Sequence, residues 1–163
     1  VLDVMSTKNV IAGNVIAENI IAPMSEAAIQ TVRDLESVAL QLPQQPIETS
    51  HLFHAGLYAR SIVLPAGVVL TGALIKVATI LIISGDVIMY VDGEARELHG
   101  YHVFAASAQR KQAFLALADT SMTMLFPSQA KTVEAAEEEF TGEADLLFSR
   151  GACGSNIITV TGE

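Results

Sequence analysis

From Thr49 to Phe126 the chain consists of short apolar runs, each broken by a turn signal before it reaches helical length. The run from Leu57 to Leu64 stops at Pro65-Ala66-Gly67, and that from Thr79 to Ile83 stops at Ser84-Gly85-Asp86. Val87 to Val91 leads into Asp92-Gly93, a dipeptide in which both residues tolerate the positive φ of a tight hairpin. The longest apolar stretch, Val77 to Ile83, is of strand length, contains Thr79, and falls far short of the roughly 18 apolar residues that read as a membrane helix. With further runs at 68–70, 72–76, 95–98, 103–106, 112–117 and 121–126, the pattern predicts a mainly β domain of about eight strands, the number typical of a jelly roll.

The flanks are written differently. Asn9-Val10-Ile11-Ala12-Gly13, Asn14-Val15-Ile16-Ala17-Glu18 and Asn19-Ile20-Ile21-Ala22-Pro23 repeat one unit at a fixed spacing, so each can make the same contact in turn. Three such units cannot bury a core of their own, which predicts an extended arm over 1–24 lying on a neighbouring subunit. Ser25 is a natural N-cap and Glu26 suits the positive first turn of a helix; Ile29, Val32, Leu35, Val38 and Leu42 then recur at helical spacing. Residues 25–48 therefore read as an amphipathic helix and a linker, ended by Pro43 and Pro46. The arm and helix residues expected to bind a partner are Val10, Ile11, Val15, Ile16, Ile20, Ile21, Ile29, Val32 and Leu35. After the β region (49–140 with its closing helix), Ser128 should cap an acidic helix over 129–140, with Glu134, Glu137, Glu138 and Glu139 on a solvated face. The tail, 141–163, holds the apolar segment 145–148 and a terminal strand at 157–161 suited to augment a sheet edge, its own or a neighbour's.

Composition narrows the function. Of 163 residues, 51% are apolar and 17% charged, which excludes a disordered chain and suggests surface buried against other subunits. Nine Lys and Arg against 18 Asp and Glu give a net charge of −9, so a nucleic-acid backbone is not an expected partner. The single cysteine, Cys153, forms no intrachain disulfide and reads as a bystander thiol. The start, Val1-Leu2-Asp3, lacks a basic region, so no signal peptide is expected, and synthesis in a cytoplasm is.

Tyr58-Ala59-Arg60-Ser61-Ile62, then Leu64-Pro65-Ala66-Gly67-Val68-Val69-Leu70-Thr71-Gly72, resembles the opening of small phage-encoded cupin-like proteins. The likeness continues through 82–87 and 117–120 and into the closing acidic helix, covering about residues 50–140. It implies a double-stranded β-helix, the cupin form of the jelly roll. In metal-binding cupins two His and a carboxylate stand on an early strand and another His on a later one. Here the matching positions hold Ile75 and Val77 or Thr79, and 107–114 contains no His. Ile and Val have no N, O or S donor for a metal, and no His stands where the family has one. No metal, cofactor or catalytic residue is therefore expected.

The other chemistry-bearing residues read as structural. His51 and His54, and His99 and His102, form two pairs expected at linker and turn positions, as surface or interface histidines. Ser84, Ser107 and Ser128 lack patterned His and acid companions for a nucleophilic triad. Arg110-Lys111, the densest basic spot, is expected as a solvated pair. Ile75, Val77 and Phe114 are expected to fill the barrel interior; an open barrel would instead offer Tyr90, Tyr101, His102 and Arg60 as polar lining.

The expected function is that of a non-enzymatic structural protein of a phage virion: a capsid decoration or cement protein that forms a dimer or trimer and binds the major capsid protein through its arms. It would be made in the host cytoplasm, with no nucleic-acid or membrane partner. The alternatives are a tail, neck or fibre component and a cupin-type small-molecule binder or enzyme.

Overall fold

The computed structural model describes residues 19–151 and 154–162; Val10, Ile11, Val15 and Ile16 of the arm, together with Cys153, lie outside them. The third arm repeat forms β1 (Ile20–Ile21), which pairs parallel with β6 (Glu94–Ala106) of its own chain. The unit expected on a neighbour thus sits on its own sheet. Ile21 is buried in the domain core, while Ile20 points outward.

Helix α1 (Glu26–Ala39) starts where the cap residue places it: the Ser25 hydroxyl accepts the Ala28 N–H. The Ser25 N–H in turn donates to Asp92 Oδ1 at 2.8 Å, tying the helix start to a hairpin tip. Val32 is buried and Ile29 packs beside it against Ala113 and Tyr90, whereas Leu35, Val38, Leu40 and Leu42 remain exposed. Replacing Ser25 with Ala should cost about 1 kcal/mol, read as a shift in urea midpoint.

The β domain contains β2 (Glu48–His54), β3 (Leu57–Leu64), β4 (Val69–Thr71), β5 (Thr79–Val91), β6, β7 (Ala113–Ala116) and β8 (Thr120–Pro127). β5 and β6 are long antiparallel partners joined at Asp92-Gly93, whose φ values of 46° and 87° are those the hairpin requires. The turns expected at Ser84-Gly85-Asp86 and at 99–102 are not chain reversals. Gly85 and Gly100 bend continuous strands, and at Gly85 β5 changes partner from β8 (Ile80–Ser84) to β7 (Val87–Tyr90). Two four-stranded layers result, β3-β8-β5-β6 and β4-β7-β5-β6, folded over each other at those bends. That pairing is the jelly roll, and the chain is mainly β, as the punctuated pattern predicts.

Between the layers lies a core of Leu64, Leu81, Ile83, Val87, Met89, Phe104, Phe114 and Met122. A second cluster, Phe53, Tyr58, Phe126, Val133, Ala136 and Phe140, closes one end with α2 (Val133–Phe140). α2 begins later than expected: Thr132 caps it, and the Ser128 hydroxyl instead accepts the Ala130 N–H in a turn. Beyond α2, two 3-10 turns (Ala144–Leu146 and Phe148–Arg150) lead to β9 (Ser155–Val160), which adds parallel to β2. The expected terminal strand thus augments the edge of its own sheet. The first three residues of β2, Glu48 to Ser50, fall within the linker expected over 43–50.

Candidate functional site

The barrel is not filled. A cavity of about 560 Å³ opens beside the core, lined by the inward faces of β3, β4, β7 and β8. The expectation of a filled interior fails because Ile75 and Phe114 stand in its wall rather than plugging it, while Val77 turns to the second cluster near α2. The volume lies within the roughly 300–1,000 Å³ range of small-molecule sites. Ile62, Leu70, Leu81, Met122, Met124 and Phe140 make most of the surface apolar. The rim comes from both flanks of the chain: the end of α1 with 42–47, and the segment 146–148.

One polar corner breaks the apolar lining. Arg110 and Gln112 both line the cavity, and Arg110 is 1% exposed, not the solvated side chain that its Lys neighbour and flanking glutamines suggest. It donates to Thr79 Oγ1 (2.6 Å), to Gln112 Oε1 (3.2 Å) and to the carbonyl oxygens of Val77, Ala106 and Ser107. Among the described residues no carboxylate pairs with it. Burial lowers its pKa to about 10, which still leaves it cationic at neutral pH. The Gln112 Nε2 is sealed from water and has no acceptor.

Lys111, also buried, points the other way and bridges two elements. Its Nζ lies 3.2 Å from Glu36 of α1 and 3.0 Å from Glu143, which also accepts from the Leu74 N–H and from Arg33. Burial pushes the Glu143 carboxyl up, but the Leu74 N–H and Lys111 outweigh it and hold it low. This network straps α1 and the C-terminal segment to the barrel beside the cavity.

At the α2 end, Glu137 is fully buried rather than on a solvated face. It meets Arg60 Nη1 at 2.8 Å, Arg150 Nε at 2.7 Å and the Ser149 hydroxyl at 2.6 Å. Burial alone would raise its pKa, but these donors bring it below the ordinary carboxylate value.

The histidines are not brought together. Residues three apart on a strand face opposite sides: His51 is buried, within 2.7 Å of the Tyr58 hydroxyl and 3.0 Å of Asn156 Oδ1, while His54 is exposed and meets Thr161. His99 and His102 lie in strand β6, not in a turn; His99 meets Asp86 and Glu97 on the surface. Of the polar groups named as lining for an open barrel, Arg60 lines the cavity, whereas Tyr101 is on the exterior. No group of three His, Cys, Asp or Glu among the described residues is placed to hold a metal, and Ile75 and Phe114 on the barrel wall supply no donor. The residues present do not fit the metal that the cupin resemblance implies.

Sequence reasoning missed Arg110 and Gln112 as site residues. The available signal was a basic doublet inside a strand-rich region, directly before the run that becomes β7.

No protein-family model matches the sequence, and no curated relative does. Solved structures similar to part of the chain include a cupin domain, KdgF and a salicylate 1,2-dioxygenase. The cupin domain of an XRE family transcriptional regulator from Enterobacter cloacae is 20% identical over 51% of this chain and 99% of its own, with a TM-score of 0.40. KdgF from a Halomonas species is 20% identical over 51% of this chain and 79% of its own, with a TM-score of 0.40. A salicylate 1,2-dioxygenase from Pseudaminobacter salicylatoxidans is 14% identical over 61% of this chain and 31% of its own, with a TM-score of 0.45. The jelly-roll assignment rests on the strand pairing above.

Proposed function

We propose that the chain is a non-enzymatic assembly protein that associates with copies of itself through the outer face of its wide sheet. The sheet runs β1-β6-β5-β8-β3-β2-β9, and strand register identifies its outward residues. Ile20, Val103, Ile80, Val63, Leu57, Leu52 and Ile157 stand exposed on that face. On the part of that sheet before the bends at Gly85 and Gly100, Glu48 at the start of β2 is the only outward Asp, Glu, Lys or Arg among the described residues; Asp86 and Glu97 lie outward beyond the bends. In a chain of net charge −9, this uncharged stretch is the observation that carries the reading. Two like-charged bodies repel except where neither presents charge, and a face that meets its own copy closes as a two-fold dimer.

Sedimentation of the full chain should give a dimer at micromolar concentration, and Val63→Glu combined with Val103→Glu should give a folded monomer. A monomeric parent, or a doubly charged variant that still dimerises, would sink the proposal. The repeated arm is tested by removing only residues 1–18, because Ile21 and Met24 belong to the core. That deletion should leave the thermal midpoint within a few degrees and reduce higher-order assembly.

Within this reading, the proposed setting is a phage particle, with the chain decorating a shell of major capsid protein. The resemblance to phage-encoded cupin-like proteins and the arm repeat support it. Quantitative mass spectrometry of purified particles should count on the order of hundreds of copies, as a closed symmetric shell requires. About a dozen copies would place it in the tail, neck or fibres, and absence would end the virion reading.

The cavity favours a second reading, a cupin-type small-molecule binder. The two are compatible, because one uses the outside of the sheet and the other the inside of the barrel.

A further inference from the structure

We propose that the barrel cavity takes a small monocarboxylic acid, its acid group met by Arg110 and Gln112 and its aliphatic or single-ring body held by the apolar wall. This rests on the reading of the barrel as a small-molecule binder and specifies the chemistry of its ligand.

The corner formed by these two residues has more donors than acceptors. A guanidinium carries five N–H groups. In Arg110 the Nε hydrogen goes to Gln112, the Nη1 hydrogens are shared among three carbonyls, and one Nη2 hydrogen goes to Thr79. Among the described residues that leaves Gln112 Nε2 without any acceptor and, by count, one Nη2 hydrogen of Arg110 beyond the bond to Thr79. The charge is unmatched as well: a buried cation without a counter-ion is costly, and so is a sealed amide donor left unpaired. The other charged groups lining the cavity are already engaged. Arg60 pairs with Glu137, Glu36 with Lys111, and Glu143 with Lys111 and Arg33. One positive charge and three free N–H groups therefore remain.

A carboxylate supplies one negative charge and two acceptor oxygens, and it makes charge-assisted hydrogen bonds with such donors. A phosphate dianion would leave one charge unmatched in a wall that also contains Glu36 and Glu143. Gln112 Nε2 is left unpaired in the corner of the cavity that both residues line, so an acid group reaching that corner supplies its missing acceptor. Ile62, Leu70, Met122 and Met124 then surround an apolar body.

The test is calorimetric titration of the full chain with octanoate and phenylacetate, against octanamide and phenylacetamide. The acids should bind at least about tenfold tighter than their amides, equivalent to roughly 1.4 kcal/mol. Gln112→Leu keeps the volume but removes both the unpaired donor and the Oε1 that accepts from Arg110 Nε, so it should remain folded, somewhat less stable than the parent, while weakening the acids about tenfold. Arg110→Met should abolish the preference for acids; if it fails to fold, Gln112→Leu carries the test alone. Amides that bind as tightly as acids, or unchanged acid affinity in Gln112→Leu, would overturn the acid-group assignment while leaving the cavity a binding site. If neither series binds or raises the melting temperature, the binder reading itself fails, and this inference fails with it.

Discussion

Gly85→Ala should be among the most damaging single substitutions in the protein, costing about 3–5 kcal/mol. Gly85 has φ +142°, a conformation that side chains rarely adopt. A Cβ there would lie 2.8 Å from Thr120 Cα and 2.9 Å from the Asp119 carbonyl oxygen. Neither is the end of a flexible side chain, so the backbone itself must shift. The estimate combines about 1–3 kcal/mol for the disfavoured backbone with about 1–3 kcal/mol for overpacking. The position also has an architectural role, because Gly85 is where β5 leaves β8 and joins β7. Gly93→Ala and Gly100→Ala provide the contrast: both have positive φ, but nothing lies within 4 Å of their added Cβ, so each should cost about 1 kcal/mol. Urea unfolding of the three variants is the measurement. Equal costs at all three positions would show that the close approach at Gly85 relaxes freely.

Glu137→Ala should be comparably severe, at about 3–5 kcal/mol, because it removes the buried carboxylate that Arg60 and Arg150 share and leaves Arg60 with Ser149 but no carboxylate partner. Glu138→Ala, one residue along on the exposed side, should stay within about 0.5 kcal/mol. The same site sets a pH dependence. The Glu137 carboxyl is held below its ordinary value of 4.5, because its hydrogen-bonding and charged partners outweigh burial. Its contribution is therefore full above pH 4.5 and lost as the pH falls through the folded-state value. The pKa of His51 lies below its ordinary 6.5 because burial disfavours the charged ring, with the Asn156 hydrogen bond opposing. Its contribution is full above pH 6.5 and declines as the pH drops below that. Stability should therefore fall in two stages on acidification, the upper from His51 and the lower from Glu137. Urea midpoints across that range should show the lower stage disappear in Glu137→Ala. A variant whose curve runs parallel to the parent's would disprove the assignment. Both groups fasten the C-terminal segment, His51 through Asn156 and Glu137 through Ser149 and Arg150, so β9 should loosen before the barrel.

The limits of the sequence reading follow the range of the interactions. Leu57 to Leu64, the Asp92-Gly93 hairpin and the Ser25 cap are legible because each depends on residues a few positions apart. β2 is not legible because its inward side holds two polar residues, Thr49 and His51, and the partners of His51, Tyr58 and Asn156, are supplied by other strands. Gly85 and Gly100 read as chain reversals because a glycine permits either a turn or a bend. Which one occurs depends on whether a second partner strand lies beyond it. Arg110 was read as solvated because a basic doublet is usually so, and its burial comes from carbonyls at 77, 106 and 107 that converge only once the layers close.

The sequence by itself determined the mainly β class, the helix start at Ser25 and the tight hairpin, because residue type and near-neighbour spacing suffice for each. Only the tertiary structure decided that the barrel stays open, that Arg110 and Gln112 face it without a counter-charge, that Glu137 is sealed, and that the uncharged residues of seven strands share one surface. Cavity volume, burial and the grouping of distant side chains are sums over many elements, and strand register and packing set those sums.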